Sequence, residues 1–139
     1  MSSEQKAMSA AVLGDVYAAG NTDRIPALFH ERYVQKPYGF SGHDGVRRHA
    51  AAWRTAFSDL ALELVDQIEE GDGVVNLVFL TGTHDGLLHD HVAPTGRSVA
   101  VMAIILHRFE QGRIVEGVVL FDELALYQQL GVVGTPVWG

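Results

Sequence analysis

Residues 97–131 read RSVAVMAIILHRFEQGRIVEGVVLFDELALYQQLG, and this stretch decides the fold. From Arg97 to Phe109 the side chains alternate as in a strand, with Val99, Val101, Ala103, Ile105, His107 and Phe109 sharing one face. Glu110-Gln111-Gly112-Arg113 is tight-turn chemistry, and Ile114 to Phe121 supplies a second strand to complete a hairpin. That strand runs directly into Asp122-Glu123-Leu124-Ala125-Leu126, where an aspartate suits the cap of a short helix, and Gly131 closes it.

Upstream, Leu60, Leu62, Leu64 and Ile68 alternate with Ala61, Glu63, Val65 and Gln67, so another strand begins near Leu60. Glu70-Gly71-Asp72-Gly73 turns the chain, and Val74 to Thr81 is its apolar, β-branched hairpin partner. The segment Asp85 to Gly96 reads as a loop. Further toward the N-terminus the period becomes helical. Met8, Val12 and Val16, with Ala11 and Ala19, form one stripe, which predicts a helix from about Ser3 to Ala19 ended by Gly20. A second short helix follows Asn21-Thr22, carries Pro26 in its first turn and ends near His30. Tyr33-Val34-Gln35 reads as a short strand, and Val46, Ala50, Trp53 and Phe57 place a third helix over His43 to Ser58. Three N-terminal helices followed by a meandering sheet define an α+β domain, with all long strands expected in the second half of the chain.

The 139 residues fit one domain, large enough to bury about two thirds of the surface of the unfolded chain. Ten Lys and Arg against 17 Asp and Glu give a formal charge of -7, which disfavours nucleic acid and anionic membrane surfaces as partners. Without cysteine there is no disulfide, thiolate nucleophile or thiolate metal ligand. The start of the chain lacks a basic segment followed by an apolar run, and apolar stretches are strand-sized, so a cytoplasmic protein without a membrane partner is expected.

The order of these parts, with Gly82-Thr83-His84-Asp85-Gly86 and Ala93-Pro94-Thr95-Gly96-Arg97, resembles the SnoaL-like polyketide cyclase family of the nuclear-transport-factor-like superfamily. The resemblance runs from about Met8 to Gly131, and residues 1–139 are expected to form a single SnoaL-like domain. It implies a cone: a curved antiparallel or mixed sheet around three N-terminal helices, open at one end as a ligand pocket, with no metal or cofactor. Family cyclases close a ring by intramolecular aldol condensation, with an aspartate on the last strand and a histidine on its neighbour. The matching positions here hold Val119 and Ile105, whose parity about the Gly112 turn makes them cross-strand neighbours. Both are aliphatic, so the family reaction is not run here with the family residues. Asp122 differs in parity from the family's aspartate and reads as a helix cap.

Other groups are candidates for acid/base chemistry. Tyr17 and His49 match positions that line the pocket of family cyclases, although His49 also reads as a partly exposed helix histidine. His84 suits a general acid or base, or equally a tie for the loop that follows it. Gln35, Tyr38, Trp53, Ile105, Val119 and Phe121 complete the expected pocket. His89-Asp90-His91 has metal-ligand composition but matches no ligand spacing, and reads as a polar loop at the pocket mouth. His107 is expected at the rim, and His30 and His43 in solvent at helix edges. Two functions fit. One is a cofactor-independent cyclase, isomerase or hydratase acting on a hydrophobic polyketide- or terpenoid-like intermediate. The other is a non-catalytic small-molecule binding protein. A homodimer through the outer face of the sheet is expected with either.

Overall fold

The structure is a computed structural model that describes residues 3–37 and 39–133. Helix α1 (Glu4–Ala11) opens on Ser3, whose hydroxyl accepts the Lys6 N–H at 3.0 Å. The single helix expected to Ala19 changes character half-way. Over Val12–Ala18 the backbone bonds widen to the i→i+5 pattern, ending with Ala19 N–H to the Gly14 carbonyl at 3.0 Å. Arg54 donates to the Val16 carbonyl at 3.1 Å, supporting this wide turn from outside.

A 3₁₀ turn (Thr22–Arg24) leads into α2 (Ile25–Leu28), which stops sooner than its sequence suggests. The chain is already extended at Phe29, and β1 (Phe29–Lys36) is an eight-residue strand rather than a three-residue one. Pairing decides this, because β1 lies parallel to β5 (Arg113–Phe121), with Phe29 opposite Ile114 and Gln35 opposite Gly117. His30 is consequently buried on β1 instead of solvated, donating from Nε2 to Gln111 at 3.1 Å while Nδ1 accepts the Arg32 N–H. His43 is also partly enclosed and donates to the Phe29 carbonyl at 2.7 Å, joining α3 (Gly42–Ala56) to β1. Val46, Ala50, Trp53 and Ala56 form the buried face of α3.

Strands β2 (Ala61–Glu70), β3 (Gly73–Thr83) and β4 (Ser98–Glu110) join β5 in antiparallel pairs, and the sheet order is β1-β5-β4-β3-β2. The curved, open, mixed sheet and its covering helices form the expected nuclear-transport-factor-like α+β fold. One detail of β2 reverses expectation. Leu64 pairs with Val78 and Asp66 with Leu77, so Val65 is an extra residue, a bulge that inverts side-chain parity beyond it. Ile68 is therefore 63% exposed and Gln67 turns inward. Helix α4 (Glu123–Leu130) follows β5, capped by the Asp122 carboxylate, which accepts the Ala125 N–H at 3.1 Å, and closed by Gly131 at φ 77°. The outer sheet face leaves Met102, Ile104 and Leu120 exposed, Leu120 by 70%. No helix among the described residues is long and apolar enough to cross a membrane.

Candidate functional site

The inner face of the sheet and the helices enclose a cavity whose wall is drawn from both apolar clusters, Val12, Phe29 and Tyr33 from one and Trp53, Leu60 and Leu80 from the other. Its inner chamber holds about 70 Å³ and adjoins an outer one of about 420 Å³. Both are lined by His49, Trp53, Val119 and Phe121, and the outer one adds His89, His91, Glu123 and Tyr127. Strand register orders the floor into rows. Ala103 faces Phe121 nearest the mouth, Ile105 faces Val119 behind them, and His107 faces Gly117 deepest. Ile105 and Val119 are thus cross-strand partners on the cavity wall, and Asp122 points away into its helix cap.

On the helix side, α3 and the wide turn bring Trp53, His49 and Tyr17 into a chain. The Trp53 indole N–H donates to His49 Nε2 at 3.2 Å, and Tyr17 Oη lies 2.7 Å from His49 Nδ1. An indole nitrogen only donates, so Nε2 must be the acceptor and Nδ1 must carry the ring proton. Nδ1–H then donates to the Tyr17 oxygen, leaving the phenolic proton free to turn into the cavity. Burial lowers the His49 pKa to about 4, with the nearby His89 as a smaller cause, so the ring is neutral at pH 7. Burial also raises the Tyr17 pKa well above its ordinary value, with Tyr33 adding to the effect, so Tyr17 stays protonated.

The deepest row is more polar than the sequence suggested. His107, expected at the rim, is 2% exposed, and its Nδ1 lies 2.5 Å from the Ser9 hydroxyl. Ser9 accepts from the Asn76 amide at 2.7 Å, and the second Asn76 proton goes to the Ile105 carbonyl at 3.0 Å. Asn76 accepts from Gln67 at 2.9 Å, which the bulge at Val65 turned inward. Ser9 is fully buried and its hydroxyl meets two groups among the described residues, the Asn76 amide, which can only donate to it, and His107 Nδ1; the Ser9 proton therefore goes to Nδ1, and His107 carries its own proton on Nε2. Burial lowers the His107 pKa to about 4, and that imidazole is neutral too. Beside it, Tyr33 donates to Gln35 Oε1 at 3.0 Å, while Gln35 Nε2 is buried with no hydrogen-bond partner. Asn76 and Ser9, polar residues inside apolar patterns, were the sequence signal for this network.

His84 stands apart from the cavity. It is fully buried beside Phe57, its Nδ1 accepting the Thr95 N–H at 3.1 Å, and it ties down the loop; it lines neither chamber of the cavity. That loop reaches the mouth through a tight turn in which His89 (φ 50°) and Asp90 (φ 60°) adopt left-handed conformations, setting the His89 ring 5.7 Å from Trp53. Burial lowers the His89 pKa. Among the described residues no three His, Asp or Glu side chains converge to hold a metal ion, His89-Asp90-His91 included. Tyr38 lies outside the described residues.

The sequence profile of the SnoaL-like polyketide cyclases matches residues 7–130. The chain belongs to that family. Among solved structures this SnoaL-like protein is similar to TsrD from Streptomyces laurentii, with 25% identity, a TM-score of 0.85, and coverage of 94% of this chain and 96% of the other. It is also similar to AclR from Streptomyces galilaeus, a candidate hydroxylase, with 25% identity, a TM-score of 0.82 and coverage of 99% and 88%. A SnoaL-like polyketide cyclase from Agrobacterium tumefaciens, at 21% identity and a TM-score of 0.78 over 94% of this chain and all of the other, shares the fold. No curated protein matches the chain.

Proposed function

We propose that this SnoaL-like protein is a cofactor-independent enzyme of the cyclase, isomerase or hydratase type, acting on a hydrophobic, carbonyl-bearing polyketide- or terpenoid-like intermediate. The observation that carries this reading is the Trp53–His49–Tyr17 chain set beside the apolar Ile105, Val119 and Phe121 of the cavity wall. Tyr17 offers a phenolic proton where a substrate carbonyl would gather negative charge, and a fixed donor in a water-poor site stabilises a developing oxyanion. His49 was expected as a proton acceptor. With its Nε2 lone pair engaged by Trp53, it serves instead to position Tyr17. His89 at the mouth, held neutral at pH 7 and packed against Trp53, is the group available to take a proton. Proton transfer beside a carbonyl needs no metal or cofactor, because the carbanion is delocalised into the carbonyl.

The second reading is a binding protein, favoured by the aliphatic Ile105–Val119 pair where family cyclases keep acid and base. Turnover of carbonyl-bearing polyketide intermediates by wild type and Tyr17→Phe decides between them. An enzyme loses about 10²–10³-fold in rate in Tyr17→Phe while keeping its fold, whereas tight binding with no turnover in either protein selects the second reading. The exposed row of Met102, Ile104 and Leu120 supports a homodimer through the outer sheet face. Light scattering should give twice the chain mass for wild type and the chain mass for Leu120→Glu. A wild-type monomer rejects the dimer.

A further inference from the structure

The deep end of the cavity plays no part in the reading above, yet it is the most constructed polar feature of the molecule. Gln35 and His107 both pair in register with Gly117, one from each flanking strand, so their side chains rise from one row on the same sheet face. With strands about 4.8 Å apart, the two backbones stand about 10 Å from each other across the row. Gly117 supplies no side chain of its own there, and the end of the Tyr33 ring takes the room over it. A Cβ there would lie 2.1 Å from the Tyr33 hydroxyl, so the glycine is what lets Tyr33 reach Gln35.

That contact fixes which end of the Gln35 amide is free. Tyr33 needs an acceptor for its buried proton and takes Gln35 Oε1; the reverse amide orientation would strand that proton. Nε2 is left bare at a residue 2% exposed, on the cavity wall. On the other side of the row, the Gln67–Asn76–Ser9 relay occupies His107 Nδ1 and leaves Nε2–H without a protein partner among the described residues. Both free groups donate, and among the described residues the wall of the inner chamber carries no carboxylate to accept from a ligand hydroxyl; Glu123 stands only in the outer chamber. A buried donor with no partner is costly until something accepts from it.

We propose that the deep end of the cavity is a subsite for an acceptor oxygen of the ligand, a carbonyl or enolate, held by the Gln35 amide and the His107 Nε2–H above the Tyr33 hydroxyl that lies over Gly117. The ligand enters with its carbonyl end foremost and leaves its apolar body against Ile105, Val119 and Phe121. The inference rests on the cavity being a small-molecule site, as proposed above, and is independent of any reaction at Tyr17. Ser9 is a positioning residue, acting through His107.

Acetophenone and α-methylstyrene test it, since they share a shape and differ in C=O against C=CH₂. Binding is followed by NMR titration of the ¹⁵N-labelled protein, without any turnover. Wild type and Tyr17→Phe should favour the ketone about tenfold, the worth of one good buried hydrogen bond. That preference should fall toward unity in Gln35→Met and in His107→Leu. Ser9→Ala should weaken it and also change the His107 imidazole ¹⁵N shifts, marking loss of the Nε2–H tautomer. The proposal is overturned if wild type shows no ketone preference, if Gln35→Met retains it in full, or if Tyr17→Phe alone abolishes it. Should His107→Leu not fold, Gln35→Met still decides. An inactive wild type that keeps the ketone preference would sink the enzyme reading and leave the subsite standing.

Discussion

The mouth and the floor of the cavity each hold a histidine whose pKa is lowered to about 4, yet the two rings differ in what they can offer. At the mouth, both nitrogens of His49 are engaged, one by Trp53 and one by Tyr17, so the ring passes its influence on to the tyrosine proton. At the floor, His107 is engaged at Nδ1 alone, and its Nε2–H faces whatever enters. Equal acidity therefore says little about role. What decides it is which lone pair and which proton the neighbours have already taken.

The broadest test of this pairing is acid. Both histidines have folded-state values of about 4, against an unfolded value near 6.5, so between these pH values the unfolded chain binds protons that the fold excludes. Stability is intact above about pH 6.5 and falls as pH drops toward 4, by about 3 kcal/mol for each ring. Urea midpoints measured across that window should show it. His107→Leu should remove about half the slope, and a slope unchanged in that variant would remove the floor from the comparison.

A smaller effect separates apolar from polar rows. Val119→Asp puts a carboxyl opposite Ile105, in the aliphatic row between mouth and floor, and should cost about 1–3 kcal/mol. Burial raises that carboxyl's pKa, so the cost should be small in acid and grow as pH rises through the unfolded value near 3.9 toward the folded one. A cost independent of pH would mean that the row is wetter than its lining suggests. The finest test touches one ring only. Trp53→Phe removes the donor that stabilises neutral His49, so the His49 pKa should rise from about 4 while that of His107 stays in place, as followed by imidazole NMR. Movement of both would show that the two sites share one environment.

Much of this was legible in the sequence, for reasons tied to particular residues. Period-two alternation counted from the Gly112 turn is enough to set Ile105 opposite Val119, and an aspartate between strand and helix is enough to cap α4. The floor was not legible in the same way. His107 is held by Ser9, a residue 98 positions away, and the side chain that completes the relay, Gln67, faces inward only because one extra residue at Val65 inverts the parity of β2. Nothing local announces a bulge among Leu64, Val65 and Asp66. The extent of β1 likewise depends on β5, some 80 residues downstream, and local helix signals around Pro26 cannot report it.

The wide turn over Val12–Ala18 has a consequence best put in terms of angular phase. Each residue advances an α-helix by about 100°, so one residue looped into a wider turn resets the bearing of everything after it. Ser9 lies before the reset and meets His107; Tyr17 lies within it and meets His49. Removing exposed Gly14 to restore a regular helix would leave either Ser9 or Tyr17 on its bearing, and turn the other aside by about a quarter of a revolution. One helix can serve both ends of the cavity only because it miscounts once between them.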